Sequence, residues 1–185
     1  MDSLAQAVQA LHERYHIPHI VITSVSLDHP DHPQCSLSVV GSTMTSDRKA
    51  RAFKIVFPAI DAYFSGTGDM FAALMVVRMR EAVYNTGGGL GEKESWISDD
   101  SVDALNLPLA RAAEKVLASM HEVLTKTCES MRAEVKKAEA TMVHGTEEED
   151  EKALRLIKSK AAELRLVRHL GSLREPVVEF RAQKM

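Results

Sequence analysis

The chain has few cysteines, little imbalance of charge and no long apolar run, and each of these shortages argues against a class of protein. Its two cysteines, Cys35 and Cys128, lie far apart and form no Cys-x-x-Cys spacing. This pattern is typical of reduced intracellular thiols and gives no basis for a disulfide framework or a cysteine-bound zinc site. We therefore expect a cytoplasmic protein, or one that is also nuclear.

The charges nearly balance, because 23 Lys and Arg stand against 26 Asp and Glu and leave a net charge of −3. Such a chain has no global field that favours nucleic acid or an anionic membrane. No stretch approaches the roughly 20 apolar residues that span a bilayer. The start of the chain also lacks a basic segment followed by an apolar one. We expect neither a nucleic-acid nor a membrane partner, so that any anion must be bound locally.

The length of 185 residues and the hydrophobic content of 45% suit one ordinary core better than two. We therefore predict a single domain over residues 1–185. Glycines are concentrated in Asn85–Gly91, and we predict that residues 85–104 form a flexible linker or loop within that domain.

Apolar periodicity predicts a short first helix, then the strands of a sheet. Apolar positions over Leu4–Leu11 indicate an amphipathic helix that ends before Pro18. The continuous run Ile20–Ile22 is typical of a central strand covered on both faces. Ser36–Thr43 and Arg51–Phe57 alternate and predict two neighbouring antiparallel strands.

Helices are predicted for the rest of the chain, so the fold class is α/β. One helix should run from Thr67 to Tyr84, and a long amphipathic helix should contain Leu105–Leu124. The acidic segment His144–Glu151 predicts an exposed turn and the first turn of another helix, where negative charge complements the helix dipole.

The turn Gly66-Thr67-Gly68-Asp69 is the strongest candidate for a functional site. Its glycines permit backbone conformations that let N–H groups approach an anion. The following helix start adds unpaired N–H groups and a positive dipole end. Asp69 is well placed to accept a proton from an alcohol that attacks a phosphate. The alternative from these residues alone is structural, with Asp69 as an N-cap and glycines that shape the turn.

A second motif, His12-Glu13-Arg14-Tyr15-His16, has the spacing of a helical zinc site. The context disfavours it, because His16 lies two residues before Pro18 and no later helix offers a convincing third ligand. We predict a polar helix edge here and assign no metal-binding residue.

The segment Phe64–Ala73 closely resembles the signature of pyridoxal kinases, a branch of the ribokinase-like superfamily. His19–Ser24, Leu154–Lys160 and Glu175–Phe180 are similar to that family's nucleotide-site strand, its C-terminal helix and its last strand. The resemblance covers almost the whole chain in the same order. It implies a partial ribokinase-like sheet, with a central buried strand and antiparallel strands packed with helices. It also implies that the chain is the C-terminal, ATP-binding half, and that the N-terminal half of the fold is missing.

The resemblance also implies a function, which is transfer of the ATP γ-phosphoryl group to the 5′-hydroxyl of pyridoxal, pyridoxine or pyridoxamine. Mg²⁺, a monovalent cation such as K⁺ and a homodimer are expected from the family. Asp69 would act as the base, the N–H groups of Gly66, Thr67 and Gly68 would hold the developing charge, and nucleotide contacts would come from Thr23, Ser24, Ile60 and Thr67. The alternatives are a non-catalytic nucleotide-binding fragment and a kinase of another small hydroxylated substrate.

Overall fold

The protein is described by a computed structural model that covers residues 2–26, 33–141 and 147–185. The elements confirm the α/β class: one helix is followed by three strands, then by further helices and a short final strand. The helices and strands are α1 (Asp2–Tyr15), β1 (His19–Val25), β2 (Ser36–Met44), β3 (Ala50–Pro58), α2 (Thr67–Thr86), α3 (Pro108–Thr141), α4 (Glu147–Ala161), α5 (Leu170–Arg174) and β4 (Gln183–Lys184).

The sheet contains four strands in the order β1-β2-β3-β4, and each neighbouring pair is antiparallel. The predicted pairing of the second and third strands is confirmed, and its register places Val39 opposite Ile55 and Gly41 opposite Phe53. All of these residues are buried, so the two inner strands carry the apolar face of the sheet.

One detail of the predicted sheet is wrong, because β1 is not central. It lies at one end of the strand order and pairs with β2 alone among the described strands. Of its apolar run, Ile20 is buried while Val21 and Ile22 are half-buried. A run of β-branched residues predicts a strand but does not reveal how many neighbours that strand has.

The prediction of a last strand over Glu175–Phe180 is also wrong, since the final strand is the two-residue β4 further along. The backbone of the predicted segment has other partners. The Glu175 N–H donates to the Gly171 carbonyl at 2.9 Å, and the Val177 N–H donates to the Glu122 carboxylate at 2.8 Å. These bonds satisfy donors that a strand would otherwise direct to a neighbour.

The chain divides into two compact units. The first comprises Met1–Ala59, Ala72–Leu117 and Val178–Met185, and the second comprises Ile60–Phe71 and Ala118–Val177. The first unit contains the sheet, and its largest fully buried apolar side chains are Val8, Val39, Val40, Phe53, Ile55, Val83, Leu107 and Val116.

The second unit is mainly helical and is held by polar bonds around Lys126 on α3. Its ammonium group donates to Ser172 Oγ at 2.6 Å and to the Glu122 carboxylate at 3.2 Å. A separate ion pair joins Arg165 to Glu134 at 2.7 Å. These bonds connect α3 to the segment that follows α4.

The segment between α2 and α3 contains three short 3₁₀ turns, at Leu90–Glu92, Glu94–Trp96 and Ala104–Asn106. Its Ser95 carbonyl accepts a hydrogen bond of 2.7 Å from the His19 ring. Both the mobility predicted for residues 85–104 and the single domain predicted for residues 1–185 stay predictions.

The predicted long helix is confirmed as α3, but its bounds differ. Leu105 belongs to a 3₁₀ turn whose N-cap is Asp103, with the Leu105 N–H donating to the Asp103 carboxylate at 3.0 Å. Pro108 then starts α3. The first N–H groups of a helix have no acceptor within it, so the missing N–H of proline has no cost there.

The predicted acidic helix start is confirmed at Glu147, whereas the turn predicted for residues 144–146 lies outside the described residues. Within the described ranges, no helix is both long enough and apolar enough to cross a bilayer.

Candidate functional site

The candidate site lies in the second unit, at the turn that leads into α2. The chain from residue 60 to residue 66 forms no helix or strand, and the Ala62 N–H donates to the Ile60 carbonyl at 2.8 Å. Gly66 ends this path with φ of +81°. Residues with a Cβ rarely adopt that conformation, so this backbone geometry favours glycine at position 66.

The N-terminus of α2 leaves backbone donors open at this turn. The helix begins at Thr67, and the Met70 N–H donates to the Gly66 carbonyl at 3.1 Å. The N–H groups of Thr67, Gly68 and Asp69 come before that bond and have no acceptor within the helix. Gly66 and Gly68 are exposed, and a Cβ at either would meet nothing within 4 Å. An anion can therefore approach these donors from solvent.

Asp69 lies in this first helical turn and is exposed. Among the residues that the structure describes, its carboxylate makes no ion pair or side-chain hydrogen bond. It neither caps the helix N-terminus nor enters a buried ion pair, and a free carboxylate oxygen can accept a proton. The base predicted from the sequence is thus accessible, while its role stays a prediction.

The second unit also has a cavity of about 480 Å³, which is lined by Tyr63 but by none of residues 66–69. Tyr63, which is 84% exposed, lines it together with Met131 and three cations, Arg132, Lys136 and Lys158. None of these residues is predicted from the sequence to be functional. Their spacing on α3 and α4 predicts only that these segments are helical. Because they lie far from Tyr63 in the sequence, their proximity to it could not be predicted.

Thr23 and Ser24, the predicted nucleotide contacts on β1, belong to the first unit. Both are exposed, and the register of β1 against β2 shifts between Ile22 and Val25. Ser24 has φ of +55°, so this is a bulged and locally strained point of the strand. Ile60, the predicted adenine contact, is half-buried in the second unit. Their contribution to a shared site stays a prediction.

The zinc-like motif has a structural role instead. His12 is fully buried, and its ring spans two partners, the Ile17 carbonyl at 2.6 Å and Ser42 Oγ at 2.8 Å. Since a carbonyl only accepts, Nδ1 donates to Ile17, and Nε2 is hydrogen-bonded to the Ser42 hydroxyl. No lone pair remains for a metal. The prediction that His12 lies on a polar helix edge is therefore wrong.

Comparisons with known proteins agree with the resemblance read from the sequence. A Schizosaccharomyces pombe protein named as a pyridoxal kinase is 29% identical over 133 residues, which are 72% of this chain and 37% of the relative. Pyridoxal kinase from Leishmania donovani, solved in complex with ADP, superposes with a TM-score of 0.59 at 17% identity. That match covers 100% of this chain and 45% of the solved one.

This chain is similar to part of a pyridoxal kinase. A further neighbour, Plasmodium falciparum PdxK solved with AMP-PNP and PL, gives a TM-score of 0.57 at 13% identity, and the match covers 43% of that chain. The fold is therefore that of part of a pyridoxal kinase, and the predicted recognition is confirmed at that level. No model of a protein family matches the chain. The chain spans less than half the length of the relatives named above.

Proposed function

We propose that this chain binds ATP through the turn at residues 66–69 and transfers its γ-phosphoryl group to the 5′-hydroxyl of pyridoxal, pyridoxine or pyridoxamine. Such a reaction would form pyridoxal 5′-phosphate and its relatives in vitamin B6 salvage. One observation carries the proposal: the left-handed Gly66 leads into open backbone donors, and the exposed Asp69 lies on the same turn. The ADP and AMP-PNP in the solved neighbours support nucleotide binding.

In this proposal, the N–H groups of Gly66, Thr67 and Gly68 hold the charge that develops on the transferred phosphoryl oxygens. Removing one preorganised donor of this kind costs on the order of 2.7–4 kcal/mol. The helix dipole contributes only about 0.3–1 kcal/mol at an exposed site, so the directed donors must dominate. Asp69 removes the proton from the attacking hydroxyl, and a placed general base contributes about 10²–10⁴ in rate.

The remaining nucleotide contacts are also proposals. The hydroxyls of Thr23, Ser24 and Thr67 would bind the phosphates, and Ile60 would lie against the adenine. The cavity lined by Tyr63 combines apolar side chains with three cations and one carboxylate, Glu139, so it offers a nucleotide an apolar surface and a net positive charge. A nucleotide base on its apolar wall would leave the phosphates near positive charge.

Mg²⁺ and K⁺ come into the proposal only from the resemblance. Within the described ranges, no group of three or more His, Cys, Asp or Glu side chains is arranged to hold a metal ion. These residues therefore build no metal cage, and we derive no step through either cation. A homodimer is a proposal of the same origin, whereas the cytoplasmic location is proposed from the cysteine pattern of the sequence.

The direct test is a phosphorylation assay on the purified chain with ATP and pyridoxal, in which pyridoxal 5′-phosphate is quantified by chromatography. Product that depends on both reagents supports the proposal. Parallel reactions with a sugar and with a pyrimidine alcohol control for the acceptor, and product from these alone would overturn the assignment of the vitamin. Saturable ATP binding with no product from any acceptor would overturn the catalytic part.

A second candidate function is nucleotide binding without catalysis. The observation that favours it is the coverage, because the chain matches 37% of one relative and 45% of another. A region of that size does not contain all the residues of either relative. Binding and turnover measured on the same preparation separate the two candidates.

A further inference from the structure

A second polar cavity lies in the first unit, near the C-terminal end of α2. It has a volume of about 280 Å³, and none of its residues belongs to the turn at residues 66–69. The polar side chains that line it come from α2, α3 and the 3₁₀ turn before α3. Six of the seven polar residues, all except Thr86, define the basic pocket: Arg78, Glu81, Asn85, Asn106, Arg111 and Lys115.

Two cations of the basic pocket share one carboxylate. Arg78 Nη1 donates to Glu81 Oε2 at 2.6 Å, while the Lys115 ammonium group pairs with the other oxygen, Glu81 Oε1. These bonds to Lys115 and Arg78 hold the pKa of Glu81 below its usual value, so the carboxylate is charged at neutral pH. Arg78 is buried, and its guanidinium group is therefore held in a fixed position.

The third cation, Arg111, is oriented by a neutral partner. Its Nη2 donates to Asn106 Oδ1 at 3.0 Å, and its Nη1 lies 3.4 Å from Glu114 Oε2. Glu114 does not line the pocket and already accepts two shorter bonds, from Arg181 at 3.1 Å and from the Ala182 N–H at 2.9 Å. It is therefore a weak counter-charge for Arg111, which keeps a half-exposed side chain.

The charged side chains that line the basic pocket are thus three cations and one carboxylate. Arg111 and Lys115 each share their carboxylate partner with another cation, Arg181 at Glu114 and Arg78 at Glu81, so these two cations would attract an anion. Arginine forks suit the paired oxygens of a phosphate or carboxylate group, and the Asn85 and Asn106 amides add N–H donors for further oxygens. The volume lies just below the usual range for sites that take drug-sized ligands, which favours a small ligand.

We propose that the basic pocket binds a phosphate group, either free or as the monoester of a small metabolite. The site is separate from the proposed nucleotide turn and does not depend on the proposed kinase activity. Arg111 and Lys115 contact the phosphate oxygens, and Arg78 supports them from the buried side through Glu81.

The test titrates the full chain with inorganic phosphate, and in a second arm with glycerol 3-phosphate, while NMR follows the side-chain amide signals of Asn85 and Asn106. Sodium chloride at matched ionic strength is the control. Saturable shifts of both amides by a phosphate species, absent with chloride, are the expected result. Tighter binding in the second arm identifies a monoester as the ligand, and tighter binding in the first identifies free phosphate.

Charge variants localise the effect and distinguish it from a general response to anions. Arg111→Gln and Lys115→Gln each remove a charge-assisted bond, and each should weaken phosphate binding at least tenfold. Glu81→Gln removes the competing carboxylate, so it should tighten binding several-fold. The matched control is Arg80→Gln on the outer face of α2, where the arginine contacts only Tyr84 in the described part of the chain; its affinity should be unchanged.

Three results would overturn the proposal. The first is an absence of saturable shifts at the two asparagine amides with either phosphate species. The second is an equal loss of affinity in Arg80→Gln and Arg111→Gln, which would indicate only the overall charge. The third is weaker binding by Glu81→Gln in a variant whose circular dichroism matches the wild type.

Discussion

His12 on α1 and Ser42 on β2 are joined by a buried hydrogen bond of 2.8 Å. The bond fastens the first helix to an inner strand of the sheet, and the Ile17 carbonyl holds the opposite side of the ring. Removing the imidazole leaves a cavity and takes this partner from the buried Ser42 hydroxyl and from the Ile17 carbonyl. Both effects are destabilising.

We predict that His12→Ala lowers the free energy of unfolding by about 2–4 kcal/mol, as measured by urea denaturation. His16→Asn is the matched control from the same motif, since His16 is exposed with φ of +54° and asparagine tolerates that conformation. It should change stability by less than about 0.5 kcal/mol. A zinc-induced rise in the melting temperature of the wild type, lost in both variants, would contradict the structural role.

A pH effect should come from His19. Burial lowers the pKa of His19, and His12 and Arg51 lower it further against the opposing hydrogen bond to the Ser95 carbonyl. The unfolded chain therefore binds a proton at this histidine more readily than the folded chain does. Its contribution to stability is complete above the ordinary value of 6.5 and is lost as the pH falls below it.

We predict that the free energy of unfolding falls between pH 7.5 and pH 5.5, and that His19→Gln reduces this fall. Urea denaturation at the two pH values measures both chains. Glutamine keeps an amide donor and acceptor but does not titrate in this range, which makes it the conservative replacement. Equal pH dependence in wild type and variant would remove His19 as the cause.

The two glycines of the candidate turn should respond differently to alanine. Gly66 has φ of +81°, whereas Gly68 lies in α2 without a positive φ, and neither would place a Cβ near another atom. Gly66→Ala should therefore cost about 1–2 kcal/mol through backbone strain alone. Gly68→Ala should be neutral or stabilise the helix by up to about 1 kcal/mol. Thermal unfolding of both variants checks the contrast, and equal losses in the two would contradict the strain argument.

Asp69 can be tested in any preparation of this chain that phosphorylates pyridoxal. We predict that Asp69→Asn lowers kcat at least about 100-fold, because it removes the general base, and leaves ATP affinity nearly unchanged. Asp61→Asn is the matched control, since Asp61 is an exposed aspartate of the same segment and has no proposed role. Turnover near the wild-type level in Asp69→Asn would exclude this residue as the base.

Most helices and strands of this fold can be predicted from the sequence, because each depends on the pattern of residues that are close together along the chain. Alternation of side chains predicted β2 and β3, helical periodicity predicted α1 and α3, and the two glycines predicted the start of α2 at Thr67. The position of β1 was not readable, since a continuous apolar run fits an edge strand with one covered face as well as a central strand. The short β4 carried too few residues to show a period.

Side-chain placement across the chain was equally hidden. His12 and Ser42 are 30 residues apart, and nothing in either local pattern marks a buried pair, so the motif suggested a polar edge. The same limit applies to Arg78 and Lys115. Both pair with Glu81, and this arrangement exists only because α3 packs near α2. The turn at residues 66–69 was recognisable because its whole chemistry lies within four consecutive residues.

The central claim is that the backbone N–H groups of residues 66–69 bind the terminal phosphate of ATP. The most direct measurement is an NMR titration of the ¹⁵N-labelled chain with ATP, and in parallel with AMP, which lacks the β- and γ-phosphates. We predict saturable shifts of the Gly66, Thr67 and Gly68 amides with ATP and much smaller shifts with AMP. Amides that stay unchanged at saturating ATP, or that move equally with AMP, would contradict the account.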